Sequence, residues 1–370
     1  MRFIPVNEPV INGNEKQYLI ECIDTGWISS EGPYVKKLEK NMASYCGRKY
    51  AKAVCNGSVA IDVAVKALGI GVGDEVIMPA FTIISCANAI IRAGAKPVLI
   101  DADSKTWNMD VSQIEDKVTT KTKAIMAVHI YGLPVDMDKV LKIAERHNLK
   151  IIEDAAEAHG LEYKGKKCGS FGDTSIFSFY SNKLVTTGEG GMILTDDESL
   201  ATRFESLRNL CFKPEKRFVH DELGWNLRMS NLQAAVGVAQ LERLNEFVIK
   251  KREMGKKYLE LLSGIDEIEL PLSKTDYADN IYWVFGIVLK DNVPFNADAA
   301  MKKLKEKGIG TRPFFYPMHK QPVFKKLRLF LNESYPVSER IAERGFYIPS
   351  GLSLKDEQLR IVVNQIKEMF

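Results

Sequence analysis

The sequence lacks the segments that would target or anchor a protein to a membrane. No apolar run approaches the roughly 18 residues that a membrane-spanning helix needs. The N-terminus, MRFIPVNEPVING, does not show the charged and then apolar pattern of a secretory signal. The six cysteines are scattered without a CxxC pair, so we expect reduced thiols and neither a disulfide framework nor a zinc site. We therefore predict a cytoplasmic protein with no membrane partner and no bound metal.

An excess of charge of one sign is also absent. The chain carries 51 Lys and Arg against 48 Asp and Glu, for a formal net charge of +3, and it contains no long basic run. This balance argues against a nucleic-acid partner, which would require a basic patch or stripe. The 370 residues are 45% apolar and show no internal repeat, which is typical of a globular chain with two domains.

Short apolar stretches alternate with helical patterns over residues 51–160. This alternation predicts a doubly wound α/β fold, a mostly parallel sheet with helices on both faces. Ligands in such sheets bind beyond the carboxyl ends of the strands. Residues 230–263 are predicted to form one long helical stretch that bridges two domains. We expect a large domain over 15–245. We also expect a smaller α+β domain that comprises residues 246–370 together with residues 1–14.

One lysine lies in a polar turn between two apolar strands of residues 175–191, SIFSFYSNKLVTTGEGG. A lone lysine at such a position is costly to desolvate unless it has a chemical task. Burial favours the neutral amine, which is a nucleophile, so Lys183 is a candidate for a Schiff base with pyridoxal 5'-phosphate (PLP). A solvated lysine in a surface loop explains this stretch, taken alone, equally well.

Two earlier positions suit the same cofactor. In Asn56-Gly57-Ser58 a strand turns into a helix, so backbone amides, the Ser58 hydroxyl and the helix dipole can bind a phosphate. Asp154 ends the strand IIED, where its carboxylate can hold the proton of a pyridine ring. The alternatives are a plain N-cap at Ser58 and a structural ion pair or helix cap at Asp154.

Other polar residues extend this pattern with less specificity. Ser178 ends its strand and offers a second hydroxyl to the phosphate. Asn226 and Arg228 precede a helix, where an asparagine is usually a turn residue. Arg312 and Tyr316 lie in RPFFYPMH, which is either a clamp for a phosphate or nucleotide or a rigid hydrophobic connector.

Taken together, the motifs resemble those of the DegT/DnrJ/EryC1/StrS sugar-nucleotide aminotransferases. The resemblance is carried by NGSVA, EDAAEAHG, SFYSNKLVTTGEGGM, GWNLRMSNLQAA and RPFFYPMH, and it runs nearly from end to end. It implies fold type I of the PLP enzymes, with a mostly parallel seven-stranded sheet in the large domain and a smaller α+β domain. It also implies a homodimer with two shared active sites.

The resemblance also implies roles for individual residues. Lys183 would carry PLP as a Schiff base, and Asp154 would pair with the pyridine nitrogen. Gly57, Ser58 and Ser178 would bind the phosphate. Glu157 would lie near the ring hydroxyl, where many relatives have glutamine, and Asn226 would reach the phosphate of the partner's cofactor.

Within the family, the motifs are most similar to those of the perosamine synthases. This similarity implies transfer of the amino group of L-glutamate to C4 of GDP-4-keto-6-deoxy-D-mannose. Ile83 departs from the pattern, since many relatives carry an aromatic residue there that stacks on the cofactor ring. Candidate substrate-binding residues are those of the loops and motifs around this site: Trp27, Ser29, Tyr131, Arg228, Arg312, Tyr316 and His319.

Three other functions compete with this prediction. The same reaction on a UDP- or dTDP-linked 4-keto-6-deoxy sugar is the alternative within the enzyme class. A deoxysugar dehydratase of the same fold is disfavoured, because those relatives carry histidine at the position of Lys183. A non-catalytic, PLP-binding regulatory protein is disfavoured by the combination of Lys183, Asp154 and Ser58.

Overall fold

The computed structural model describes residues 3–213 and 215–370. Its strands β1 to β9 are Tyr50–Val54, Glu75–Pro79, Lys96–Ile100, Thr122–Val128, Lys150–Asp154, Glu162–Tyr163, Lys166–Lys167, Thr174–Ser178 and Gly191–Thr195. Strands β10 to β13 are Ile268–Glu269, Phe285–Leu289, Arg312–Pro313 and Gly345–Ile348.

Thirteen α-helices are found among the described residues. Helices α1 to α7 are Glu15–Asp24, Pro33–Cys46, Gly57–Ala67, Ile84–Arg92, Ile114–Lys117, Met137–His147 and Glu198–Arg208. Helices α8 to α13 are Asn231–Glu242, Leu244–Leu262, Ala297–Glu306, Pro322–Lys326, Pro336–Arg344 and Asp356–Lys367. In the ranges 3–213 and 215–370, no helix combines the length and the apolar composition needed to cross a bilayer.

Seven strands form the large sheet in the order β1-β9-β8-β5-β4-β2-β3. Only β9 runs antiparallel to its neighbours, so the predicted mostly parallel seven-stranded sheet is confirmed. Because side chains alternate along a strand, Ile151 and Ile152 belong to different hydrophobic cores. One core packs against α2, α6 and α8, and the other against α3, α4 and α7.

The predicted single helix over 230–263 is wrong, because the chain turns at Arg243. Its φ of −110° and ψ of 5° interrupt the helix between α8 and α9. Helix α8 is buried against the large sheet, while α9 runs from that core, at Phe247, to the core of the small sheet, at Tyr258. The turn at Arg243 therefore separates a helix that packs on the large sheet from one that connects both cores.

A four-stranded antiparallel sheet, in the order β10-β11-β13-β12, forms the C-terminal part. Ile4 pairs with Ile309 of this part, while Met1 and Arg2 of the predicted 1–14 segment lie outside the described residues. The predicted domain boundary at 245/246 falls in the first turn of α9. The sequence prediction did not include α11, α12 or β13.

A buried carboxylate joins this C-terminal part to the large sheet. Asp101, just after β3, is 5% exposed. Its Oδ1 accepts hydrogen bonds from Ser338 N and Oγ, at 2.8 and 2.6 Å, and its Oδ2 accepts one from Val337 N at 3.0 Å. The contact holds the first turn of α12, and with it the small sheet, beside the carboxyl ends of the large sheet.

Candidate active site

A cleft of about 710 Å³ opens at the carboxyl ends of the parallel strands β4, β5 and β8. Its size is within the range of small-molecule sites. The predicted site residues that line it are Gly57, Ser58, Ile83, Tyr131, Asp154, Glu157, Ser178 and Lys183. The fold therefore gathers residues that lie up to 126 positions apart, at the edge of the sheet where a doubly wound fold binds its ligand.

Asp154 is the last residue of β5 and is 2% exposed. Its Oδ1 accepts a hydrogen bond from Ala156 N at 3.1 Å, and its Oδ2 accepts one from Cys86 Sγ at 3.3 Å. Burial raises the pKa of this carboxyl group, while the two donors and the charge of Lys183 oppose the rise. A cation placed beside Asp154 would favour the anion, which is the form that can hold a protonated ring nitrogen.

Lys183 lies in the turn after β8, and its side chain is 11% exposed. Its Nζ is 3.4 Å from Glu157 Oε1 and 3.9 Å from the centre of the Trp283 ring. Trp283 is itself fixed, since its Nε1 donates to Asn182 O at 3.1 Å. The lysine amine is thus held in the cleft by a carboxylate and by the face of an aromatic ring.

Glu157 is almost fully buried beside this lysine. Its Oε2 accepts a hydrogen bond from Tyr131 N at 3.1 Å. Burial raises its pKa to about 7, against the opposing effects of the Lys183 charge and the Tyr131 amide. Near neutral pH, the carboxyl group is therefore poised between its protonated and ionised forms.

Helix α3 begins at the opposite side of the cleft. Asn56 caps it, with Oδ1 accepting from Val59 N at 3.0 Å, so that Gly57 and Ser58 form its first turn. A Cβ atom on Gly57 would lie 2.6 Å from Ser178 Cβ, so only glycine allows the helix to approach the end of β8 this closely. The Ser58 hydroxyl lies 2.7 Å from that of Ser85. Amides and hydroxyls converge here as in other anion-binding helix termini.

Several lining residues were missed by the sequence prediction. Trp283, Phe315 and Tyr347 all line the cleft from the C-terminal part of the chain. Phe315 N donates to Tyr131 Oη at 3.2 Å, which attaches the RPFFYPMH segment to the wall of the cleft. Phe315 belongs to the RPFFYPMH segment, although the sequence analysis singled out only its Arg312, Tyr316 and His319. No local motif marks Trp283 or Tyr347, although a tryptophan ahead of a strand was a signal that could have drawn attention to Trp283.

Ile83 is the N-cap residue of α4 and lines the cleft with 42% of its surface exposed. It is an aliphatic side chain at the mouth of the site, as the sequence predicts. Whether it touches a cofactor ring stays a prediction.

Trp27 and Ser29 lie on an exposed loop that does not line this cleft. The loop is held by the first residue of α8, because Asn231 Nδ2 donates to Trp27 O at 2.6 Å and Asn231 N donates to Ser29 O at 2.9 Å. Trp27 is 51% exposed. Both residues stay predictions as substrate contacts, and within one chain they are outside the cleft.

Asn226 and Arg228 also lie outside the cleft of their own chain. Arg228 Nη1 donates to Asn209 Oδ1 at 2.5 Å, and its Nε donates to Asn226 Oδ1 at 3.1 Å. The Asn226 side chain is exposed. This position agrees with the expectation that Asn226 serves a neighbouring subunit, which one chain does not test.

The three remaining predicted residues lie in and next to the RPFFYPMH segment. Arg312 is exposed on β12 and pairs in register with Tyr347, which lines the cleft. Tyr316 is 55% exposed. His319 is buried, with Nε2 2.8 Å from Glu339 Oε1 and its ring against Tyr335, so its contacts are within the protein.

One buried group of potential metal ligands lies among the described residues, formed by His129, Glu153 and Cys168. Glu153 already accepts hydrogen bonds from His129 Nε2 at 2.9 Å, Gly169 N at 2.6 Å and Phe171 N at 2.8 Å. The group is therefore a hydrogen-bonded network that fastens the loop before β8.

Comparisons with known proteins agree with this fold. The DegT/DnrJ/EryC1/StrS aminotransferase family profile matches residues 9–367. A GDP-perosamine synthase of Escherichia coli O157:H7 is 41% identical over 370 residues, which are 100% of this chain and 99% of that protein. A GDP-perosamine synthase of Caulobacter vibrioides is 40% identical over 366 residues, 99% of this chain and 98% of that protein.

A solved structure supports the same conclusion. S. venezuelae DesV, in complex with a ketimine intermediate, is 30% identical and superposes with a TM-score of 0.91, covering 100% of this chain and 99% of that chain. The resemblance inferred from the sequence motifs is confirmed, and so is fold type I with its seven-stranded sheet. The chain belongs to the DegT/DnrJ/EryC1/StrS aminotransferase family.

Proposed function

We propose that this protein transfers the amino group of L-glutamate to C4 of a nucleotide-linked 4-keto-6-deoxy sugar, with PLP as cofactor. The best-supported substrate is GDP-4-keto-6-deoxy-D-mannose, which gives GDP-perosamine. The substrate assignment rests on two relatives of about 40% identity, both GDP-perosamine synthases, which align over nearly the whole chain. The assignment of the reaction type rests on the cleft, which brings together Lys183, Asp154 and the first turn of α3.

The residues of the cleft fit PLP at three separate points. The first turn of α3 and Ser178 would hold the phosphate, since the glycine at position 57 keeps the amides accessible and a side chain there would clash. Asp154 would hold the pyridine nitrogen, and Lys183 offers the only lysine amine that lines the cleft among the described residues. A phosphate cradle, a buried acid and an amine are the three groups that this cofactor requires.

When bound, PLP supplies a carbonyl group that reacts with amines and a protonated ring that withdraws electrons from the reacting carbon. Asp154 would keep the ring nitrogen protonated, since two opposite charges ~4 Å apart at an effective dielectric near 20 attract each other by about 4 kcal/mol. The Lys183 amine would hold the cofactor covalently. The same amine, when free, would be the general acid and base that moves a proton at the reacting substrate carbon.

Glu157 and Trp283 hold that amine in place. The Glu157 carboxyl group, 3.4 Å from Lys183 Nζ, can accept or return a proton near pH 7 because burial has raised its pKa to about 7. The Trp283 ring, whose centre is 3.9 Å from Nζ, limits where the amine can move. The amine thus stays within the cleft throughout its two tasks.

Arg312 is a better candidate than Arg228 to bind the carboxylate of glutamate in this subunit's own cleft. It is exposed and pairs with Tyr347, a lining residue, whereas Arg228 is engaged by Asn209 and Asn226. Tyr131 Oη accepts a hydrogen bond from Phe315 N, so its own hydroxyl proton is still available to a ligand in the cleft. Trp27, Ser29 and Tyr316 remain proposed contacts to the nucleotide sugar, whereas the buried His319 is held by Glu339 and Tyr335.

A homodimer with shared active sites accounts for the predicted residues that lie outside the cleft. Asn226 and the Trp27 loop are exposed in one chain, as residues that complete a partner's site would be. Next to this loop, the outer face of α1 exposes Ile20 and Ile23, an apolar surface that a second copy would cover.

The six free thiols suit the cytoplasm as the compartment.

The substrate assignment is tested with purified enzyme, PLP and L-glutamate. Each of the GDP-, dTDP- and UDP-linked 4-keto-6-deoxy sugars is offered separately, and products are identified by mass spectrometry. We expect an amino sugar from the GDP substrate, together with 2-oxoglutarate in equal amount. Lys183→Ala should lower the turnover number by at least about a hundredfold, the contribution of a positioned acid–base group.

Amination of only the dTDP or UDP substrate would move the assignment to that nucleotide. Release of no 2-oxoglutarate with any of the three sugars would overturn the enzymatic proposal and favour a regulatory PLP-binding protein.

The shared-site proposal predicts complementation between two inactive variants. Lys183→Ala removes the amine, and Asn226→Asp places a negative charge where the partner's cofactor phosphate is expected. In a heterodimer of the two variants, one site receives an intact Lys183 and an intact Asn226. After unfolding and joint refolding, random pairing should restore about one quarter of the wild-type activity.

The control is a mixture of the two variants that have been refolded separately. If joint refolding restores no more activity than this mixture, each subunit supplies its own Asn226 or does not use it.

Glu157→Gln should change how the stability of the apoprotein depends on pH. The wild-type carboxyl group has its pKa raised from 4.5 to about 7, so the folded state binds more protons than the unfolded state between these pH values. Stability therefore falls as pH rises through that window, and the glutamine variant lacks this loss. We expect the unfolding free energy of Glu157→Gln, relative to that of the wild type, to increase by about 2–3 kcal/mol from pH 5 to pH 8. Urea unfolding at the two pH values measures this difference.

Glu253→Gln, which changes an exposed glutamate on α9, is the matched control and should show no such growth. An equal stability difference at both pH values for Glu157→Gln would contradict the buried, proton-binding state of this residue.

A further inference from the structure

Asp154 has a second contact that the proposed function does not use, from a thiol behind the cleft. Cys86, in the first turn of α4, is 0% exposed, and its Sγ lies 3.3 Å from Asp154 Oδ2. The hydroxyl of Thr82 lies 3.8 Å from the same sulfur. Thr82 and Asp154 line the cleft, whereas Cys86 does not, so the thiol can affect a ligand only through its neighbours.

The direction of these contacts follows from what each group can donate. An ionised carboxylate only accepts hydrogen bonds, so the thiol must donate its proton to Asp154. The sulfur can then accept a hydrogen bond from the Thr82 hydroxyl, which gives a chain of hydrogen bonds from Thr82 through Cys86 to Asp154. Burial raises the pKa of the Cys86 thiol well above its usual range, and the charge of Asp154 adds to this, so the donor keeps its proton.

We infer that Cys86 is a positioning residue, which orients the Asp154 carboxylate and favours its ionised form, so that Asp154 can hold the protonated ring nitrogen of the cofactor. This inference rests on the proposed function. Ala156 N binds Oδ1 and Cys86 binds Oδ2, so both carboxylate oxygens are fixed and the group cannot rotate freely. A donor to the charged form also opposes the effect of burial, which would otherwise protonate the acid.

A cysteine that serves only to fill the core provides the contrast. Cys46 is 3% exposed and lies in the other hydrophobic core, where, among the described residues, its Sγ donates to the Cys168 carbonyl at 4.0 Å. Its removal leaves a cavity but no carboxylate without a donor. Cys46→Ala is therefore a matched control for the loss of a buried thiol.

The test compares Cys86→Ala, Cys86→Val and Cys86→Ser in the intact holoenzyme. The valine variant keeps the volume without the donor, and the serine variant restores a donor. Two readouts are measured: the dissociation constant of PLP, and the protonation of its ring nitrogen, followed by NMR of the ¹⁵N-labelled cofactor from pH 6 to pH 9.

We expect Cys86→Ala and Cys86→Val to raise the dissociation constant about three- to tenfold, as for the loss of one ordinary hydrogen bond, because a thiol is a weak donor. In both variants the ring nitrogen should lose its proton at a lower pH than in the wild type. Cys86→Ser should restore most of both properties, and Cys46→Ala should change neither.

Wild-type affinity and wild-type ring titration in both Cys86→Ala and Cys86→Val would overturn the inference and leave Cys86 a packing residue. So would a serine variant that behaves like the alanine variant. These outcomes are distinct from failure of the proposed function, in which the wild-type protein itself would form no visible absorption band with PLP.

Discussion

The candidate site depends on charged groups that the fold holds away from water at the carboxyl edge of a parallel sheet. Asp154 and Glu157 are both nearly fully buried, and burial raises the pKa of each. An isolated buried carboxylate would be neutral, so their charge depends on local partners. Lys183 provides that partner within the protein, and the proposed cofactor provides a second cation at Asp154. Binding of the proposed cofactor and ionisation of these carboxyl groups would thus be thermodynamically linked.

The architecture places these groups with little freedom. Strands β5 and β8 are neighbours, so Asp154 at the end of one lies beside the turn that carries Lys183 after the other. The antiparallel strand β9 closes that turn and runs back between β8 and β1. The C-terminal part then supplies Trp283 as a wall for the lysine, and the contacts of Asp101 with α12 keep this part at the edge of the large sheet.

The sequence predicted those features that depend on short-range patterns. Alternating apolar strands and helices determined the parallel sheet, and the ends of those strands identified Asp154, Ser178 and the Lys183 turn. Features that depend on long-range packing could not be predicted in the same way. The break at Arg243 separates α8, which packs on the core of the large sheet, from α9, which extends from that core to the core of the small sheet, although the helical pattern is continuous. The contact of Cys86 with Asp154 joins residues 68 positions apart and depends on how α4 packs on the sheet.

The central claim is that Lys183 is the residue that carries the cofactor. Reduction of the PLP-loaded enzyme with borohydride would convert a Schiff base into a stable secondary amine, and peptide mass spectrometry would locate the label. The account predicts a pyridoxyl phosphate adduct on Lys183 alone, lost when L-glutamate is added before reduction. Labelling of a different lysine, or no label on a protein that retains PLP, would contradict the account.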